Sequence, residues 1–226
     1  MLEEQLGAFA GWLREQHPDA EIVVVDDCSD DNGATERVAK KNACVFVGLR
    51  ENQGKGGAVR AGMQVAQGDV RIFTDADIPF EYSALERVYN ALRTNQFHVA
   101  VGDRTLPESV YFSEIKGSRK VGSNLFSFFV ERFLTKGLFD TQCGLKGFSA
   151  EAAADLFSKG KLKGFAFDVE LLFIARKRKY SIERVPVKFR SSHEESSVSL
   201  LRHAPGMLAD LFRIKWNHLL GRYNKN

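Results

Sequence analysis

Along the first hundred positions the apolar residues switch repeatedly between two periods. Leu2, Leu6, Phe9 and Leu13 recur at the spacing of one helical face, and Pro18 stops that helix. Ile22, Val23, Val24 and Val25 form a β-branched run without polar alternation, which predicts a parallel strand covered by helices on both faces. Residues 45–47, 70–74 and 97–101 predict further strands, and helical spacing fills 35–41, 58–66 and 83–93 between them. Ser83 and Glu86 stand at capping-box spacing where the last of these helices begins. Strand and helix alternate throughout, so the pattern predicts an α/β sheet with right-handed crossovers. No repeat, linker or low-complexity stretch divides residues 1–226, and one domain is expected.

The second half is less regular. Val121, Leu125, Phe128, Phe129 and Phe133 predict an apolar helix face, with Arg119, Lys120, Arg132 and Lys136 around it. Residues 145–148 and 185–189 read as strands, with 167–178 helical between them. Leu208, Leu211, Phe212, Trp216 and Leu219 predict a last amphipathic helix carrying Arg213 and Lys215. Stripes of this kind pack on a sheet or, when rimmed by cations, lie in a membrane interface. Both readings stay open for these two helices.

Charge sharpens the picture. The chain carries 32 Lys and Arg against 29 Asp and Glu, a net +3, but residues 159–226 alone hold 15 against 6. An acidic front and a basic back predict that the back faces something anionic. No nucleic-acid-binding signature is present, so an anionic membrane surface is the expected partner. No apolar run approaches the roughly 18 residues of a membrane span. Cys28, Cys44 and Cys143 make no even disulfide framework, which points to a reducing, cytoplasmic setting.

The candidate chemistry sits at strand ends. Asp75, Ala76 and Asp77 follow the strand that ends at Thr74, and open α/β sheets bind ligands at such carboxyl ends. Two hard oxygen ligands this close suit Mg²⁺ or Mn²⁺ bridging a diphosphate. Asp26 and Asp27 follow the first strand in the same way; there Ser29 and Asp30 would serve as turn and helix cap, or one Asp would meet a nucleotide. Residues 52–58 open a helix with Gly54, Gly56 and Gly57 around Lys55. Glycines allow a backbone to approach a ligand, and a helix N-terminus favours anions. The spacing is not that of a P-loop. The histidines, His193 and His203 among them, show no metal spacing.

Taken in order, these pieces resemble glycosyltransferase family two on the GT-A fold, and most closely its dolichyl-phosphate glucosyltransferase and mannosyltransferase group. The matching stretches are Val25-Asp26-Asp27 with Ser29, residues 52–58, Asp75-Ala76-Asp77, Gly102-Asp103-Arg104, and Arg119 with Ser123. Asp140-Thr141-Gln142-Cys143-Gly144-Leu145-Lys146 and Phe165-Ala166-Phe167-Asp168-Val169-Glu170-Leu171 follow, and look most like the glucosyltransferase branch.

The resemblance implies an inverting transfer of a sugar from UDP-glucose or GDP-mannose to a polyprenyl phosphate, peripherally on the cytoplasmic face of a membrane. Asp26, Asp27, Lys55, Gly56, Asp75, Ala76, Asp77 and Arg104 would hold the donor, with Asp75 and Asp77 on Mg²⁺ or Mn²⁺. Asp77, Arg104 and Arg119 would form the catalytic set, and Arg119 and Ser123 would meet the acceptor. A planar guanidinium suits phosphate because its fork binds two oxygens. Asp168 and Glu170 fit either an acceptor-site role or the orientation of Lys146 and a backbone turn.

Family members begin with an apolar strand ending in Pro-x-Tyr-Asn-Glu. This chain opens in the helix that follows that strand, so the resemblance implies a domain incomplete at its N-terminus. Pro79 stands where mannosyltransferases often place a third metal ligand, and Val198 where a phosphate-binding Lys is expected beyond 190–197. A saccharide acceptor, or an inactive nucleotide-sugar-binding fragment, are the alternative expectations.

Overall fold

The structure, a computed structural model, describes residues 2–94, 96–110, 134, 135, 137, 138, 140–190 and 200–224. The helix expected around Val121, Leu125, Phe128, Phe129 and Phe133 lies outside them, with Arg119, Lys120, Ser123, Arg132, Lys136 and Val198.

The chain runs α1 (Leu2–Gln16), β1 (Val23–Asp26), α2 (Ala34–Lys41), β2 (Val45–Gly48), α3 (Lys55–Val65), β3 (Val70–Phe73), α4 (Tyr82–Arg93) and β4 (Val99–Asp103). After these come β5 (Lys146–Ser149), α5 (Ala150–Lys159), α6 (Phe167–Lys177), β6 (Ile182–Pro186) and α7 (Leu200–Leu219). β1 and β2 pair in parallel, and β3-β5-β4-β6 form a second sheet. β5 is antiparallel to both β3 and β4, while β4 and β6 are parallel. β3, β4 and β6 therefore point the same way, and the antiparallel insertion sets Lys146 between Phe73 and Val101.

Alternation along β4 builds a core on each face of the sheet. Val99 and Val101 pack with Phe73, Phe148 and the apolar sides of α5 and α6, whereas Ala100 packs with Leu85, Val88 and Leu92 of α4. α1 joins the α4 face, where Trp12 stacks on Tyr82 with ring centroids 4.5 Å apart.

Several expectations change in detail. Val23 to Asp26 are only partly buried, not covered on both faces. Among the described residues β1 and β3 each pair along one edge only, and an open edge leaves a strand within reach of water. The starts of these two strands are nonetheless held together, because the Glu21 carboxylate accepts the N–H groups of Gln67 and Gly68. The Ser83/Glu86 capping box does not form: Glu81 is the N-cap, the Ser83 hydroxyl donates to it at 3.3 Å, and Glu86 instead meets His17 at 2.6 Å. β6 starts earlier than expected, because its register is set by pairing Ile182 with Val99. Lys188 and Phe189 make only isolated bridges. No sequence pattern marks helix α5; Ser149 caps it by accepting the Ala152 N–H at 3.2 Å. The apolar stripe of α7 divides into two. Ile214 is buried, but Phe212, Trp216 and Leu219 are 77%, 62% and 78% exposed.

Candidate functional site

The Asp75–Asp77 loop leaves β3 through a tight turn. The Ile78 N–H donates to the Asp75 carbonyl at 2.9 Å, and Ile78 itself has φ +42°. A β-branched residue in that region is strained by about 1–3 kcal/mol, and burial of its side chain holds it there. The turn leaves Ala76 and Asp77 exposed and Asp75 partly buried. Partial burial, and then the neighbouring charge of Asp75, raise the Asp77 carboxyl above its ordinary pKa. The two carboxylates thus crowd each other, as a pair that shares a cation should.

Asp75 is hemmed in. Lys55, the first residue of α3, places its ammonium 2.6 Å from Asp75 Oδ1. On the other side a Cβ at position 144 would lie 2.0 Å from Asp75 Oδ2, so only glycine fits there. Burial opposes the charge of Lys55, but Asp75 and then Asp168 outweigh it and raise its pKa.

Arg104, at the end of β4, holds a second loop at Asp140. Its Nε donates to Asp140 Oδ2 and its Nη2 to Asp140 Oδ1, each at 2.8 Å, and its backbone N–H adds a third bond to Oδ2. Burial works against the Asp140 charge, yet these bonds hold its carboxyl below the ordinary range. Arg104, expected to face phosphate, is committed in this state to anchoring the Asp140 loop. Its neighbour Asp103 is buried and takes Arg184 Nε at 2.6 Å, a pairing across β4 and β6 that no local pattern marks.

Behind the loop lies a buried pair. Lys146 is fully buried, donates to the Cys143 carbonyl at 2.6 Å and contacts Asp168 Oδ1 at 2.8 Å. That last contact is an ion pair without an aligned hydrogen bond. Burial raises the Asp168 carboxyl, with Lys146 and Lys55 pulling the other way. Glu170 accepts the N–H groups of Lys161 at 2.7 Å and Leu162 at 2.8 Å, and the Tyr223 hydroxyl at 2.7 Å. Both carboxylates of residues 165–171 are therefore turned to internal partners.

On the β1 side, Asp26 Oδ1 accepts the Ser29 N–H at 3.0 Å, and Asp27 Oδ1 accepts the Gln53 N–H at 2.6 Å. Asp27 thus pins the segment that leads into α3. Neither Ser29 nor Asp30 caps α2: Gly33 is its N-cap, and Asp31 just before it accepts from the N–H groups of Gly33, Ala34 and Thr35. Gly56 is packed tightly against the chain. Its N–H donates to the Lys163 carbonyl at 2.7 Å, and a Cβ there would meet Phe167 Cβ at 2.6 Å. The close approach this glycine permits is to the protein's own chain. Gly56→Ala should accordingly cost about 1–3 kcal/mol of stability through overpacking, read from a urea melt.

Asp27, Lys55, Asp75, Gly144, Asp140 and Arg104 are thereby linked along the carboxyl ends of the strands. The family model for glycosyl transferase family 2 matches residues 6–157 of this chain. The chain belongs to that family. It is 31% identical over 210 residues to a dolichyl-phosphate beta-glucosyltransferase of Dictyostelium discoideum, covering 89% of this chain and 64% of that protein. The Homo sapiens protein of the same name is 34% identical over 181 residues, covering 75% of this chain and 55% of its own length. The chain thus spans less than two thirds of either relative. A solved structure of Mycobacterium tuberculosis glucosyl-3-phosphoglycerate synthase, in complex with Mn²⁺, UDP and glucosyl-3-phosphoglycerate, superposes with a TM-score of 0.66 at 17% identity, covering 99% of this chain and 77% of that one. That likeness is one of fold, and the fold is GT-A.

Proposed function

We propose that this chain is the catalytic domain of an inverting glycosyltransferase that passes glucose from UDP-glucose to a polyprenyl phosphate. The observation that carries the choice of acceptor is the internal engagement of Asp168 and Glu170. A hydroxyl acceptor requires a carboxylate open to take its proton. A phosphate monoester, with a second pKa near ~6, is already dianionic at neutral pH and requires none. Glucose is preferred over mannose on the strength of the relatives' names. Asp26 and Asp27 are the proposed nucleoside-side residues, joined by Lys55 and Gly56 at the start of α3. Arg119 and Ser123, outside the described residues, are proposed to meet the acceptor phosphate.

The donor set fits a divalent cation. Asp75 and Asp77 offer hard oxygens that lie close enough for the charge of one to raise the carboxyl of the other. Mg²⁺ or Mn²⁺ there would supply charge stabilisation to the departing nucleoside diphosphate. The protein's own part is to orient: Gly144 backs Asp75, Lys55 balances it before an ion arrives, and the Arg104–Asp140 pair holds its own loop.

The test is radiolabelled transfer from UDP-glucose to polyprenyl phosphate, with the matching polyprenol and a saccharide run alongside. Product with the phosphate alone supports this reading, and transfer to either hydroxyl acceptor overturns it. A second reading, a nucleotide-sugar-binding fragment without turnover, is favoured by the separation of β1 and β3. We propose accordingly that the single domain takes one further strand between their open edges. Mn²⁺-dependent UDP binding without product would select the fragment.

Membrane contact is assigned to α7. Among the described residues no helix is long and apolar enough to cross a membrane. Residues advance by about 100° along a helix, so Phe212, Trp216 and Leu219 share one outward face, with Arg213 and Lys215 on its two flanks. This is the arrangement of an interfacial helix, and each cation near an anionic surface adds about 1 kcal/mol. The three free cysteines agree with placement on the cytoplasmic side. Phe212→Ser/Trp216→Ser should abolish flotation with anionic vesicles at low salt while leaving the melting temperature unchanged, because both residues are already exposed. Wild-type protein that never floats would defeat the assignment.

A further inference from the structure

We propose that Lys55 is an internal counter-ion which a divalent cation must displace from Asp75, and that Asp168 is the seat to which its ammonium moves. The inference rests on Asp75 and Asp77 being the metal pair. Lys55 Nζ lies 2.6 Å from Asp75 Oδ1, and the Gly144 main chain abuts the other oxygen. One oxygen is therefore taken by a cation and the other faces backbone, so an incoming ion gains Asp75 by exchange with the ammonium.

Asp168 can receive what is displaced. It is buried and close enough for its charge to act on both Lys55 and Asp75. Its Oδ1 touches Lys146 at 2.8 Å without an aligned hydrogen bond, which leaves acceptor capacity on the carboxylate. A lysine side chain is a flexible stem with a point charge at its tip, suited to moving between two carboxylates. Before exchange, Lys55 balances Asp75; afterwards it balances Asp168, and the added cation balances Asp75 and Asp77. No carboxylate is left buried with its charge uncompensated in either state, which is where the cost of such groups arises.

The test is titration with Mn²⁺ alone, without nucleotide, following the electron paramagnetic resonance signal of the free ion. Lys55→Met should bind Mn²⁺ about tenfold more tightly than the wild type, because no charge-assisted bond has to be broken first. Asp168→Asn/Lys146→Met, which removes the buried pair together, should bind about tenfold more weakly, because Lys55 then has nowhere else to go. In the Lys55→Met background the same two changes should have no effect. Lys55→Met, at a partly exposed position, carries the first arm whatever replacement of the buried pair does to folding. Unchanged or weaker Mn²⁺ binding by Lys55→Met overturns the exchange. A loss from the double change that persists without Lys55 overturns Asp168 as the second seat. Wild-type protein that takes no Mn²⁺ even with UDP present removes the metal pair itself, and this inference with it. Transfer assays on the same preparations separate these outcomes from the choice of acceptor.

Discussion

Asp77→Asn abolishes the thermal stabilisation that UDP plus Mn²⁺ confers on the wild type, and leaves the melting temperature of the unliganded protein unchanged. Both halves follow from the position of the residue. Asp77 is exposed on a loop at the end of β3, and nothing in the core depends on its carboxylate. Its charge is opposed by partial burial and by Asp75, so neutralising it relieves crowding and breaks no contact on which the fold relies. The ligated state is another matter. A ligand at one hundred times its dissociation constant stabilises a protein by about 2.7 kcal/mol, and that contribution vanishes with the affinity. Differential scanning fluorimetry at fixed UDP, with and without Mn²⁺, measures it directly. If the Mn²⁺-dependent shift survives in the variant, Asp77 is not a ligand. If the unliganded protein melts lower, the residue supports the fold instead.

The legible parts of this protein are those decided within a few residues of chain. The strand ends carrying Asp26, Asp27, Asp75 and Asp77 could be located because β-branched runs stop abruptly at carboxylates. The alternation that gives β1 through β4 is likewise local, and its boundaries shift by a few residues at most. What escaped depends on β5. Its antiparallel insertion brings Lys146 beside Phe73 and Val101, and from there to Asp168. Arg104 and Asp140 are 36 positions apart, so their pairing is not encoded in any spacing. The same holds for Arg184 and Asp103 across β4 and β6.

Two positions stay open in the sequence for a common physical reason. Gly56 in a glycine-rich turn suits a ligand or a neighbouring chain equally, and the residues that pack on it, Lys163 and Phe167, are more than a hundred positions away. Helix α7 likewise has apolar residues around more than one face. Hydrophobic spacing alone does not say that Ile214 turns inward while Phe212 and Trp216 turn outward.

Glu170→Ala should lose about 3–5 kcal/mol of stability, the largest loss expected at any single side chain discussed, whereas Glu170→Gln should lose no more than about 1. Glu170 is fully buried, and three donors converge on it: the N–H groups of Lys161 and Leu162 on one oxygen and the Tyr223 hydroxyl on the other. Alanine strands all three in the interior and leaves a cavity. Glutamine keeps the shape and an acceptor oxygen for the two N–H groups, and the Tyr223 hydroxyl can accept from its amide. The charge itself is no asset. Burial raises the Glu170 carboxyl, so the unfolded chain releases its proton first, and stability falls as pH rises from the unfolded pKa through the raised folded one. Removing that charge in the glutamine variant offsets part of what its weaker hydrogen bonds give up. The site should feel the alanine change as well. The loop that Glu170 holds ends at Lys163, whose carbonyl receives the Gly56 N–H at the start of α3, next to Lys55. Urea melts of the two variants at pH 7 decide the matter. Equal losses in both would mean that the ionised carboxylate, and not its place as an acceptor, is what residues 161, 162 and 223 require.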